Sequence, residues 1–460
     1  MSDSSRLIHH SVFDDIARTR THLDILPSMH TLEWHAPLPL CIMFMHSNIK
    51  YFHIHLPDLL RDTSPRPFFL DITTRMPNLT HLDIRTDVPM RYIEDQTITL
   101  FSSLHSLRKL VLPRYTLTAK LVESLSLHSR LEIIEFQYYD HQGCGEQEDL
   151  SVFDPTLPEG AFPALWDLSM TLTCDAAARF FDLPYAPAHL TMVFLDSHLI
   201  ETPADILHLF TVLADNCPLL HTLGLTTYID ATSPLPNELV ENEACITIET
   251  LTPLFRCTKL ISFDIDHHRP LYLRQSDLET LASKWPLIEV LLLNCEPAYV
   301  DHPTFTLEAL FPFARHCPRL LHLGLFVDAS NGSVPGAPVL PEEYPVFRSL
   351  KKLFVGVSMI DEGGEGAVAL FLSQLCPVGC ALDSGVTWEE AAEVTGMKVA
   401  MRCKRWDKVA ELLPLLTRLR IEERERARAL KEEVEDLRVR TGLLRDRKGI
   451  KRVEDSCITS

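Results

Sequence analysis

One spacing recurs along this chain and limits what it can fold into. Apolar residues stand at the first, fourth and sixth places of a short motif. In His316-Cys-Pro-Arg-Leu-Leu-His-Leu-Gly-Leu-Phe326 these are Leu320, Leu323 and Leu325. Cys217-Pro-Leu-Leu-His-Thr-Leu-Gly-Leu225 and Trp285-Pro-Leu-Ile-Glu-Val-Leu-Leu-Leu293 repeat the arrangement. First places fall at Met29, Ile49, Leu79, Leu107, Leu131, Leu165, Leu190, Leu220, Leu260, Ile288, Leu320 and Leu350. The fourth and sixth places are apolar throughout, from Leu32/Trp34 through Ile134/Phe136 to Leu353/Val355. Residues two apart point to the same face of an extended strand, so each motif predicts a short strand with one buried side. A lone strand cannot bury that side, so neighbouring units must stack in parallel and share one core.

The return path between strands reads as helix. Ala204–Leu213, Asp277–Lys284 and Leu307–Ala314 carry apolar residues at three- and four-residue steps. Ser276 and Thr306 are positioned to cap two of these helices. Pro77, Pro163, Pro218, Pro286 and Pro318 each precede a first place by two. Proline cannot continue a helix and holds its predecessor extended, so it switches the chain from helix to strand. The motif spacing averages about 29 residues, the upper end of the leucine-rich-repeat range. The expected fold is therefore α/β: a leucine-rich-repeat solenoid, with a curved parallel sheet and helices on its convex side. Position nine of the best units lacks the asparagine that bridges turns in many such repeats (Glu296, for instance), so the turns must be tied together by other groups.

The ends differ from the middle. Residues 1–26 form an extension with one possible helix at Val12–Ala17, 27–383 the repeat array, and 384–460 a helical region with a charged tail. Cys380–Asp383 reads as a degenerate last strand and Thr387-Trp-Glu-Glu390 as a capping box. A long helix follows from Lys404 to about Arg440. Its early apolar residues, Trp406, Val409, Leu412, Leu413, Leu416 and Leu419, suit a cap on the open core. Leu430, Val434, Leu437 and Leu444 stand at coiled-coil spacing over too few heptads for a stable seam, which favours a solvated helix.

Composition narrows the partners. The 460 residues carry a net charge of −20. That disfavours non-specific binding to nucleic acid or anionic membrane and favours a basic protein partner. The first residues have no basic-then-apolar leader pattern, and no run approaches the roughly 18 apolar residues of a membrane span. The expectation is a soluble cytoplasmic or nuclear protein with its twelve cysteines reduced. Nucleophile-elbow, phosphate-loop, dinucleotide and zinc-protease motifs are absent, so no cofactor and no catalytic residue are assigned. Gly363-Gly-Glu-Gly366 reads as a turn, and Cys376 with Cys380 as packing.

Third, fifth and seventh places face the concave side. Val290, Leu292, Phe326 and Phe354 come from consecutive units and form an apolar patch. Asp264 and Asp266 supply an acidic flank, and His322 stands among them. These seven residues are the candidate partner-binding set. The alternative is that the terminal helix or a long loop covers the patch. His35, Tyr51, His53, His55 and His81 share one side of the first strands. Without a completing cysteine or carboxylate set they read as surface residues rather than a zinc site.

The Cys-Pro-x-Leu approach to the motif in His316–Leu323 and Asn216–Leu223 resembles the repeat region of fungal F-box proteins. Asp277–Pro286 and Arg405–Leu416 are similar to that family as well. The resemblance covers about residues 20–420. It implies a non-catalytic receptor that brings a target to a cullin–RING ubiquitin ligase. The adaptor contact would fall on an F-box, a helical module beginning Leu-Pro-x-Glu-x-Leu. Nothing in the 460 residues matches that module, and Leu56-Pro-Asp-Leu-Leu60 is too short and lies inside the array. An F-box-independent adaptor, or an enzyme whose site assembles only in three dimensions, are the other readings. A deep pocket of converging titratable groups would mark the enzyme, and a shallow concave sheet the scaffold.

Overall fold

The motifs become one parallel sheet. Thirteen strands lie side by side in chain order, from Thr31–Trp34 to Ala381–Ser384, each paired with the next. The computed structural model describes residues 10–19, 24–35, 38–58, 64–138, 142–227, 245–301, 303–330, 332–336, 345–387 and 393–457. Pairing keeps motif places in register. Leu32 lies opposite Phe52, Leu223 opposite Phe263, and Leu291 opposite Leu323. First places from Ile49 to Leu350 are at most 2% exposed, so they turn inward as their spacing predicts. The main apolar core runs from Leu32 to Leu413.

The connecting helices form as their sequences dictate. Thr202 caps Pro203–Asn216, its hydroxyl accepting the Asp205 amide, and Pro203 sits in the first turn, where a missing N–H costs nothing. The helix ends at Cys217, whose amide still reaches Leu213, because Pro218 cannot follow. Ser276 does not cap its helix. Gln275–Lys284 starts one residue earlier, and the Asp277 carboxylate takes the Arg274 amide at 2.8 Å. An acid at the third helical place reaches back more readily than a serine inside the first turn. Thr306 does cap, accepting the Glu308 amide at the 3-10 turn Leu307–Ala309.

Side chains outside the expected position tie the turns together. Asn294, in left-handed backbone geometry (φ 49°), accepts the His267 amide at 3.1 Å and donates to the Arg269 carbonyl at 2.6 Å. Ser358 takes the Val327 amide and donates to the Leu325 carbonyl, and Thr86 donates to Leu56. Near the C-terminal end the turns pair further. Phe305–Thr306, Val327–Ala329 and Met359–Ile360 form a second, three-stranded parallel sheet that the motif does not announce.

Both ends are covered. Helix His10–Thr19 brings Phe13 edge-on to Trp34 at 5.8 Å. At the other end one helix spans Glu393–Cys457. Trp406, Val409 and Leu413 enter the core and Leu416 packs against it, while Leu412 and Leu419 are exposed, against expectation. They stand about 100–140° around the helix from Trp406 and Leu413, just past the edge of the buried stripe. The Trp406 indole donates to the Ser358 carbonyl at 3.0 Å. Arg402 is buried, donates to the carbonyls of Val300 and Val357, and pairs with Asp301 at 3.0 Å, which Lys398 also reaches at 2.8 Å. The expected Thr387–Glu390 capping box runs into residues 388–392, outside the described set. The Thr387 amide and hydroxyl both bind Glu296. The turn expected at Gly363 is present, with φ 83°. Cys376 and Cys380 are buried free thiols.

Candidate protein-interaction face

Strand pairing places the concave residues in rows. The third-place row runs Met192, Thr222, Ser262, Val290, His322, Lys352. The fifth-place row runs Phe194, Gly224, Asp264, Leu292, Gly324, Phe354. Two glycines in the second row set its relief. A Cβ on Gly224 would stand 2.3 Å from the Phe194 ring, and one on Gly324 2.8 Å from the Leu292 side chain. Each large side chain therefore lies down across its neighbour's bare backbone, and the face becomes a low apolar wall.

Val290, Leu292, His322 and Phe354 are half-buried on this wall. Phe354 packs edge-on to His322 at 6.1 Å, and the Lys352 ammonium stands 4.3 Å from the Phe354 ring centre. Phe326 departs from expectation. It is 3% exposed and shares a small cluster with Val300, Val357, Val399 and Cys403. The reason is the terminal helix, whose residues Val399 and Cys403 lie against it. That helix takes Phe326 out of the candidate set and leaves the other apolar members in place.

The acidic flank is present and under electrostatic stress. Asp264 has an inaccessible oxygen, Oδ1, with no hydrogen-bond partner. Burial and then Glu296 push its pKa up. Asp266, two residues on, is pushed well above the carboxylate range by burial, Asp264 and Glu296, with a Thr226 hydrogen bond opposing. Burial also raises Glu296, against the two bonds from Thr387. Three carboxylates that resist ionising together form a site that a cation would relieve.

Asp196 extends the ridge through Thr226, its strand neighbour, to Asp266. Burial pushes Asp196 up to about 6 in spite of Arg114, whose Nε donates to it at 2.6 Å. The Arg114 guanidinium lies 5.1 Å from the ring centres of both Tyr115 and Tyr138. Tyr138 and Phe136 pack on Phe194, the latter at 5.7 Å. Motif reading missed this aromatic corner. It assigned Phe136 to the core, but its strand ends at Glu135, so strict alternation ends there too. The aromatic run Phe136-Gln-Tyr138 directly after a strand was the available signal.

The histidine group at the other end is divided among local bonds. His35 binds Glu33 at 3.0 Å, His53 binds Asp83 at 2.9 Å, and Tyr51 stacks on His81 at 4.2 Å. Burial would raise Asp83, but bonds from His53, Gln142 and Arg85 hold it below its ordinary value. Among the described residues no group of three or more His, Cys, Asp or Glu side chains has metal-holding geometry. No described helix is long and apolar enough to cross a membrane.

No family model and no curated protein matches this chain. Among solved structures, a crystal structure of a TLR13–ssRNA13 complex is similar, with a TM-score of 0.37 and 13% identity over 79% of this chain. The match spans about half (51%) of that chain's length. The sequential parallel sheet, its buried motif places and the helices between them make this a leucine-rich-repeat solenoid with a long C-terminal helix.

Proposed function

We propose that the chain is a non-catalytic recognition scaffold. Its concave face would take a segment of a protein target that sets apolar side chains beside a basic one. The apolar contacts would fall on Val290, Leu292, His322 and Phe354, and the basic side chain on Asp264 and Asp266. The observation that carries this reading is the crowding of the half-buried Asp264 and Asp266 carboxylates, directly beside the half-exposed Leu292 in strand register. An arriving Lys or Arg relieves the repulsion and displaces protons, so affinity for such a target rises with pH through the raised carboxylate values. The carboxylates are half-buried on a strand face whose neighbouring places are apolar, which suits capture of a chain more than turnover of a small substrate.

The resemblance to fungal F-box repeats supports a finer reading, in which the captured target is passed to a ubiquitin ligase. Affinity purification with mass spectrometry, comparing wild type with Leu292→Asp/Phe354→Asp, tests both levels. Proteins retained by wild type and lost by the variant are the targets. Identical retention by both would remove this face from the function. Cullin components that come down with both would place the chain in a ligase; their absence beside a genuine target leaves a ligase-independent adaptor.

A further inference from the structure

The terminal helix outlasts its task as a cap. From Arg418 to Gly442 every residue but Arg420 is exposed. A strand of helix about 37 Å long therefore projects from the array at 1.5 Å per residue. It is not uniformly polar. Leu430, Val434 and Leu437 are 60%, 47% and 52% exposed. Their steps of four and three put them on one stripe, extended by Ala427 and Thr441 at the same spacing. Charge is sorted around that stripe. Arg426, Lys431, Arg438 and Arg440 flank it, with Glu433 the one acid among them. Glu432, Glu435 and Asp436 are turned to the sides and back. Arg438 and Arg440 reach toward Glu435 and Asp436 across one turn, exposed pairs that exchange easily with a better partner.

We propose that this strip docks a helix of another protein that carries its own leucine-type seam between flanking glutamates. Charge decides the occupant. In a parallel pair of copies Arg426 would meet Lys431 of its mate. In an antiparallel pair the basic flanks would meet each other. Either repels, apart from the single Glu433 contact, so a second copy of this chain is the wrong guest. An acid-flanked helix turns the same contacts attractive and covers the leucines. The strip shares no residue with the candidate concave set, so the inference stands whether or not that face is the target site.

The test uses the full chain and two labelled synthetic peptides of about four heptads. Both have leucine seams; one has glutamate at its flanking places and the other lysine. Fluorescence anisotropy is expected to show saturable binding of the glutamate peptide, at least about tenfold tighter than the lysine peptide, weakening from roughly 0.1 to 1 M NaCl. Leu430→Ser/Leu437→Ser should abolish it with the thermal melt unchanged, because both leucines are exposed. Equal binding of the two peptides, or none of the glutamate peptide, overturns the proposal. So does sedimentation showing that the chain alone self-associates in a way this double variant removes.

Discussion

At the scale of single residues, Asp264 and Phe326 show how similar motif places acquire different roles. Asp264 is held with a raised pKa, so the folded chain keeps a proton there that the unfolded chain has released. Its stabilising share is complete below the ordinary carboxylate range and is lost as pH rises through the raised value. Asp264→Asn should therefore be close to neutral near pH 4 and stabilising by about 1 kcal/mol near pH 8, read as a shift in urea midpoint. A lower midpoint near pH 8 would mean that the ionised carboxylate has a partner. Phe326 and Leu292 separate folding from binding. Phe326→Asp buries a charge under the terminal helix and should cost about 3–5 kcal/mol. Leu292→Asp stays half-exposed but adds a like charge opposite Asp264, so it should cost about 1–2 kcal/mol, less than Phe326→Asp, while weakening target capture. Gly356 needs its missing side chain twice over, with φ 47° and a Cβ position 2.0 Å from the Cys295 carbonyl oxygen. Gly356→Ala should cost about 2 kcal/mol or more, visible in the thermal midpoint.

At the scale of elements, the strands were legible because a period of two within a repeat of fixed spacing has few other solutions. Even the degenerate strand at Ala381–Ser384 followed from its place in the series. The three-stranded sheet of the turns was not legible, because two- and three-residue strands carry too few side chains to show a pattern. The helical cap was legible in Trp406 and Val409. Its second contact, onto Phe326 through Val399, was not, because a local pattern marks a side chain as apolar without saying which distant element will cover it. Arg114 and Tyr138 were hidden for the same reason: they lie outside the repeating places and meet Asp196 only through the stacking of units. The cap can be tested directly. Trp406→Ala should cost about 3–5 kcal/mol. Because repeats contact only their neighbours, hydrogen exchange should quicken first in Lys352–Gly356 and Ala381–Ser384, and least in Tyr51–Leu56. Uniform quickening would show that the array unfolds as one unit.

At the scale of the whole molecule, a net charge of −20 on a stacked array gives a long-range field that draws in basic partners. Under the proposed function, association of a basic target with the concave face should slow about tenfold or more between roughly 0.05 and 0.5 M salt, with dissociation changing less, as stopped-flow mixing would report. A neutral or acidic target would show no such fall.

The register of the fifth-place row has one more consequence. Asp264, Leu292, Gly324 and Phe354 sit on successive strands, about 4.8 Å apart. An extended guest lying across them advances only about 3.3 Å per residue. The two rulers agree only at every third residue of the guest, which then stands over every second strand. Such a guest would be measured as on a vernier, anchored at two widely set points and loosely held between them. Inserting a single residue between its anchors would spoil the fit more than exchanging any residue that lies between.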